Sequence, residues 1–272
     1  YEIGVRLVGS EMCIRDRLKK ERLQWILEKI NVKGVITVND IIKELGVSDM
    51  TVRRDLDELD KEGLLIRIHG GAQSIDTPKV KPKYEKSNTE KQELQIEEKR
   101  AIAKFASQFI QDGETVFIGP GTTLEHFAHE LIAKNIRVVT NSLPVFTILN
   151  QNKSTDLILT GGEYRDITGA FVGSLTANYL QNLKFSKAFV SANGVFGDSV
   201  ATYSENEGEI QRIALDNAFE KFLLVDHEKF NKYDFYDFYN VSKIDHLVTD
   251  SSISEDAKEK FGQLTDIMVA DE

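Results

Sequence analysis

The chain has 272 residues, 29% charged and 41% hydrophobic, with a formal net charge of −10, enough to bury a core and build about two domains. It offers no run of about 18 apolar residues to span a membrane and no secretory signal at its start. Its single Cys excludes an intrachain disulfide framework and fits a reducing cytoplasm.

The opening YEIGVRLVGSEMCIRDR, residues 1–17, has neither helical nor strand period and reads as a non-native leader that also holds Cys13. Leu18 to Ile30 then repeats apolar residues at 23, 26, 27 and 30, the period of an amphipathic helix. TVNDIIKEL predicts a second helix, with Thr37 and Asp40 spaced as a capping-box variant and Gly46 closing it. Ser48 is placed to cap a third helix, SDMTVRRDL. At about 100° per residue, Val52, Leu56 and Leu59 share one side of it. Met50 and Arg54 point the other way, with Thr51 and Arg53 on the flanks. LLIRIHGGAQS predicts a β-hairpin with Arg67 and His69 near its tip.

Helix, helix, short GVS turn, helix is a helix-turn-helix, and a third helix that hides one stripe and shows Thr, Arg and Arg on the other suits a DNA major groove. The charge distribution agrees. Residues 18–83 carry 13 Lys and Arg against 11 Asp and Glu, a net of +2, while residues 84–272 hold −12. A locally basic head on an acidic body fits selective reading of DNA better than a nonspecific coat. Arg22, Ile26, Ile30, then Ser48, Thr51, Val52, Arg53, Arg54, Asp55 and Leu56, resemble the helix-turn-helix signature of the DeoR family, and IHGGAQS resembles its wing. The resemblance implies operator DNA as partner, with Ser48, Met50, Thr51, Arg53, Arg54, Arg67 and His69 at the contact. These features delimit a winged helix-turn-helix over residues 18–74.

Residues 75–90, IDTPKVKPKYEKSNTE, combine two prolines with many charges and read as a hinge. From 91 to 272, β-branched runs alternate with helical stretches. Strands are expected at 114–118, 136–140, 156–160, 187–192, 221–225, 246–250 and 266–270. This alternation predicts an α/β domain built on a mostly parallel sheet covered on both faces. Ligands settle at the carboxyl ends of such strands. There lies GPGTT, followed in register by TNS, TGGEYR, SANGV and DHEKF. GPGTT joins flexible backbone, hydroxyls and a helix start, chemistry that suits phosphate, although a Gly-rich turn is as often only a tight turn.

The serial pattern of loops resembles the DeoR-type sensor domain, which is similar in fold to ribose-5-phosphate isomerase and binds a phosphorylated sugar. Carried over, the phosphate loop falls on Gly119, Gly121, Thr122 and Thr123. The loops about the sugar fall on Asn141, Ser142, Gly161, Gly162, Glu163, Asn193 and Gly194. Lys221, Asp226 and Lys229 match basic and acidic positions of the family, and Arg165 and Lys229 could each neutralise phosphate. For Arg165 and Lys221 an ordinary surface role is an equal reading. Within the family, SDMTVRRDL, VVTNSLPVF, ITGAFVG and ALDNAFEKFLLVD resemble the regulators of lactose and tagatose-phosphate genes, which respond to tagatose 6-phosphate. Members governing fructose or galactitol genes share most of these motifs.

A sugar-phosphate pocket could also isomerise its ligand, given a general base. Glu163, Glu205, Glu207 and Asp226 are available carboxylates, but no paired constellation stands out. His126 and His129 have the i, i+3 spacing of metal ligands without a third ligand nearby. The expectation is a regulator with no catalytic residues, cofactor or metal, acting as a homo-oligomer (dimer or tetramer) whose two recognition helices reach half-sites whole turns apart. Sugar phosphate would reorient the heads through the hinge.

Overall fold

The computed structural model describes residues 19–30, 34–68, 71–74, 85–151 and 155–271. The leader, His69 and Gly70 of the wing, and residues 75–84 of the Pro-containing hinge lie outside the described residues. The chain divides into two compact units, one within Tyr1–Lys79 and one within Val80–Glu272.

The first unit holds α1 (residues 19–30), β1 (Val35–Thr37), α2 (Val38–Leu45), α3 (Asp49–Lys61), β2 (Ile66–Ile68) and β3 (Gly71–Gln73). Both interior helices begin where the side chains can cap them. Asp40 N–H donates to Thr37 Oγ1 at 3.1 Å while Thr37 N–H donates back to Asp40 at 3.3 Å. Thr51 N–H donates to Ser48 Oγ at 3.3 Å. Ile26, Ile30, Ile41, Val52, Leu56 and Leu59 pack into one core, so the apolar stripe of each helix is the face that is hidden. Asp55 also lies on this side, buried, where its carboxylate takes a two-pronged bond from Arg22 of α1, with one arm at 2.9 Å. Strand β1 was not expected. It pairs with β3 and completes the antiparallel sheet β1-β3-β2. Only glycine fits at position 71, since a Cβ there would stand 2.2 Å from the carbonyl oxygen of Ile36 on β1.

The second unit opens with α4 (Asn88–Gln92) and α5 (Ile96–Ser107). Then come β4 (Thr115–Ile118), α6 (Thr122–Glu130), β5 (Arg137–Thr140), α7 (Leu143–Leu149), β6 (Asp156–Leu159), β7 (Glu163–Arg165), β8 (Ala170–Val172), α8 (Ser174–Leu180) and β9 (Phe185–Val190). The remainder is β10 (Gly194–Phe196), β11 (Ser199–Thr202), α9 (Glu205–Asp216), β12 (Ala218–Leu224), β13 (Tyr236–Asn240), β14 (His246–Asp250), α10 (Glu255–Gly262) and β15 (Asp266–Ala270). The seven runs expected as strands form one parallel sheet, in the order β15-β14-β12-β9-β4-β5-β6. Its strands are apolar on both faces because both faces are covered. Phe117, Ala188, Val190, Leu223 and Leu247 pack towards α8, α9 and α10. Their neighbours Val116, Ile118, Phe189, Phe222 and Val248 pack towards α5, α6 and α7. The small antiparallel sheets β7-β8 and β10-β11-β13 add hairpins that the alternation of helix and strand did not announce. The last part of the expected hinge is structured as well: α4 belongs to this unit, capped by Ser87.

Gly208, the fourth residue of α9, faces Tyr236 and Phe238 of β13, and a Cβ there would meet ring and side-chain carbons at 2.7 and 2.8 Å. Alanine would gain about 1 kcal/mol of helix propensity, but overpacking costs about 1–3 kcal/mol. Gly208→Ala should therefore lower stability in urea unfolding at unchanged m-value. A stabilised variant would show that β13 yields freely.

Candidate functional site

In the first unit the exposed face of α3 is the chemically distinctive surface. Met50 is 63% exposed, and Arg53 and Arg54 both reach solvent. The two arginines differ in a way the sequence did not show. Arg53 is held along the helix by Asp49, with Nε 2.6 Å from one carboxylate oxygen and the second arm at 3.2 Å. This bond raises the Arg53 pKa and lowers that of Asp49. Arg54 has no ion-pair partner among the described residues. Ser48 and Thr51 share a hydroxyl contact of 2.9 Å at the helix start, so their hydroxyls serve the cap first.

Arg67 departs from its expected place as a free wing residue. Its Nε lies 3.0 Å from Asp57 of α3 and its guanidinium donates to the Gly71 carbonyl at 2.8 Å. It braces the wing against α3, since one guanidinium bonds a carboxylate of α3 and a backbone carbonyl of β3 at once.

In the second unit a cavity of about 550 Å³ opens at the carboxyl ends of β4, β9 and β12. After β4 the chain proceeds to β5 on one side, and after β9 to β12 on the other. The loops therefore diverge at the β4/β9 boundary and leave a crevice, the usual ligand position of an open α/β sheet. Pro120–Thr123, Ser191–Asn193 and Asp226–Lys229 enter it from those three strands. Gly121 has φ 133°, which side-chain-bearing residues rarely adopt, and no side chain caps α6 behind it. The first N–H groups of α6 thus face the crevice with the positive end of the helix dipole.

Three lysines converge on the same space. Lys99 is only 3% exposed, and its ammonium donates to the carbonyl of Lys91. The Lys91 ammonium donates to Asn193 Oδ1 at 3.0 Å. Burial, then repulsion from Lys229, lowers the Lys91 pKa. Burial pushes Lys99 down to about 8, with Lys229 and Lys91 opposing its charge and Asp226 and Glu125 favouring it. Asp226, itself buried, stands 3.9 Å from Lys229, and three other acids of the cavity have partners outside the lysine cluster. Glu85 is gripped by both arms of Arg165, one at 2.9 Å. Glu207 takes the Thr168 hydroxyl and the same Arg165 at 3.4 Å, and Glu228 pairs with Lys232 at 2.6 Å. What remains is a cluster of three lysines, Lys99 buried and Lys91 and Lys229 half-buried, with Asp226 as the carboxylate beside them, at an uncapped helix start. That arrangement binds anions.

The sequence matches the DeoR-like helix-turn-helix domain over residues 22–78 and the DeoR C terminal sensor domain over residues 94–251. The chain belongs to the DeoR family of transcriptional regulators. It is similar to the lactose phosphotransferase system repressor of Lactococcus lactis subsp. lactis, at 54% identity over 93% of this chain and 99% of that one. The repressor of the same name from Streptococcus mutans serotype c is 45% identical over 92% and 99%. Among solved structures, ribose 5-phosphate isomerase A from Methanocaldococcus jannaschii shows 20% identity and a TM-score of 0.36. That match spans 48% of this chain and 53% of the isomerase, about half of either.

Of the residues expected at the effector site of this DeoR protein, Gly121, Thr122, Thr123, Asn193, Asp226 and Lys229 line the cavity. Gly119 precedes the loop. Ser142 is buried and caps α7, accepting from Val145 N–H at 3.3 Å. Asn141 is equally buried and donates to the Phe171 carbonyl at 2.9 Å. Gly161 accepts the Thr176 hydroxyl at 2.6 Å, Gly162 packs against Thr176, and Glu163 is exposed on β7. Gly194 packs under the Lys232 carbonyl. None of these lines the cavity; they shape the hairpins and the β5 edge. Arg165 stands behind it, holding Glu85 and Glu207. Lys221 is at the far end of the sheet, where its N–H and ammonium meet Asp245 just before β14 begins.

Glu85, Lys91, Lys99 and Gln211 were missed. Lys99 had left a signal, being the one cation in the apolar stripe Ile96, Ile102, Ala103, Ala106 of α5. With its pKa pushed down to about 8, the Lys99 ammonium gives up its charge as pH rises through that range. Binding of inorganic phosphate, followed by calorimetry, should weaken as pH rises through 8, with proton uptake on binding near that pH. Lys99→Met should bind more weakly and remove that pH step; an unaltered profile would take Lys99 out of the anion site.

Proposed function

We propose that this protein is a cytoplasmic repressor of lactose or tagatose-phosphate catabolic genes that leaves its operator when a sugar phosphate, tagatose 6-phosphate foremost, enters the cavity. The observation that carries the reading is the cluster of Lys91, Lys99 and Lys229 at the uncapped start of α6, a site for a dianion. The named repressors to which the chain is similar supply the pathway. We assign residues 18–74 to the operator-reading head and residue 85 onwards to the sensor, and take two copies to bind two half-sites.

At the operator, Arg54 is the base-reading candidate, because its guanidinium is uncommitted, whereas Arg53 must exchange Asp49 for DNA. Met50 and Thr51 flank it on the exposed face. Ser48 contributes mainly through the helix start, whose N–H groups suit a phosphate of the DNA backbone. Arg67 holds the wing in place, and His69 remains a candidate at its tip.

Release follows from chain connectivity. Glu85, Lys86, Asn88 and Lys91 line the cavity, and they are the first described residues after the segment leading from the head. Asn88 and Gln92 both donate to Glu125 of α6 at 2.9 Å, and Asn88 also donates to the Thr168 carbonyl at 3.0 Å. An anion drawn onto Lys91 acts directly on this segment.

Two variants test the two halves. Arg54→Ala should cost about 1–3 kcal/mol of operator affinity, measured by anisotropy against a random duplex, with Arg53→Ala costing less; equal losses would undo the distinction. Thr122→Glu, which sets a carboxylate at the anion site, should retain operator binding and lose release by tagatose 6-phosphate. Normal release by that variant would leave GPGTT as only a turn.

A further inference from the structure

The lysines account for a phosphate but not for the rest of a sugar. Another wall of the cavity is α9, which contributes Glu207 and Gln211, one helical turn apart. The two are not equivalent. Glu207 is satisfied by Thr168 and Arg165. Gln211 is 3% exposed, and its side-chain oxygen is buried with no hydrogen-bond partner among the described residues. Buried amides are almost always paired in folded proteins, so an orphan at a cavity wall calls for a partner from the cavity, a ligand or a water. A primary amide can accept from one hydroxyl and donate to another, which matches a vicinal diol. Neither a carboxylate nor an aliphatic side chain does both.

We propose that Gln211 is the specificity-determining residue of the cavity, reading the hydroxyl pattern of the sugar while the lysines hold its phosphate. The inference rests on the effector reading above and deepens it: the ligand is a polyol or ketose phosphate, and a bare phosphate fills only part of the site. Selectivity between epimers then arises at α9. An epimer that turns one hydroxyl away leaves the amide unpaired, which is penalised more than a missing apolar contact.

The test is calorimetric titration of the full chain with inorganic phosphate, tagatose 6-phosphate and its C4 epimer fructose 6-phosphate. Wild type is compared with Gln211→Met, close in size but without the amide, and with Gln211→Asn, which withdraws the amide without adding charge should the first fold poorly. In either variant the affinity for inorganic phosphate should stay within about two-fold. The preferred sugar phosphate should lose about ten-fold or more, and the ratio between epimers should narrow. Unchanged sugar-phosphate affinities and ratio would overturn this role alone. A parallel loss of inorganic phosphate would also overturn it, by making Gln211 a support of the whole cavity. No binding of either sugar phosphate by wild type would instead overturn the effector reading, and this inference with it.

Discussion

A parallel sheet cannot close its own carboxyl edge where the strand order reverses, and that constraint governs the sensor unit. β4 and β9 lie side by side, yet their chains leave in opposite directions along the sheet. The gap between them is a consequence of connectivity, so it needs no special residue to open it. The sequence only has to furnish its rim. It does so with Gly121 at a backbone angle that leaves the start of α6 uncovered, and with short polar loops after β9 and β12. The sheet beneath is packed on both faces by aromatic and branched side chains, among them Phe117, Phe189 and Phe222, which makes the rim a fixed scaffold.

Into this gap the fold brings more ammonium groups than it neutralises. A buried lysine is costly, and Lys99 keeps its charge only through a carbonyl and the nearby carboxylates Asp226 and Glu125. An additional dianion would relieve the repulsion among Lys91, Lys99 and Lys229 together. Of the acids on the rim, Asp226 offsets part of this pull beside Lys229 and Lys99, while Glu85 and Glu207 are bonded to one shared Arg165 and Glu228 to Lys232. Carboxylates bound in this way also make poor general bases, in keeping with relatives that are named as repressors.

The sequence disclosed periodic features well and pairwise ones poorly. All seven sheet strands were legible because apolar β-branched runs bounded by polar loops have few other uses. The caps at Thr37 and Ser48 were legible because capping acts within three residues. β1, β7 and β10 are only three residues long, too short to display a strand period, and β1 exists through the sequence-distant β3. Within the cavity the same rule holds. Thr122 and Lys229 lie in loops that follow strands and were expected from that place together with the family resemblance, whereas Glu85 enters through Arg165, 80 residues away. Ser142 and Asn141 show the converse error. They follow β5 in the expected register, but strand ends also require caps and turn bonds, and that need claims the Ser142 hydroxyl and the Asn141 amide nitrogen. Arg53 and Arg54 are adjacent letters with opposite fates, because only Arg53 has Asp49 one turn behind it.

In the proposed repressor the remaining question is energetic. A ligand shifts a conformational equilibrium only by the difference between its affinities for the two states. Moving a population from one part in a hundred to the converse takes about 5.5 kcal/mol. Charge-assisted hydrogen bonds contribute about 1.5–3 kcal/mol each, so two or three made by residues 85–91 suffice, provided they form in one state and not the other. Contacts from Thr122 or Lys229 cannot supply that difference, since the sheet edge is present in both states. Lys91 can, because its helix is tied to the body by a handful of polar bonds, to Glu125, Thr168 and Asn193, and not by a buried apolar face. A segment held by polar bonds, the Glu85–Arg165 pair among them, and not by apolar packing is one whose seating a phosphate can decide.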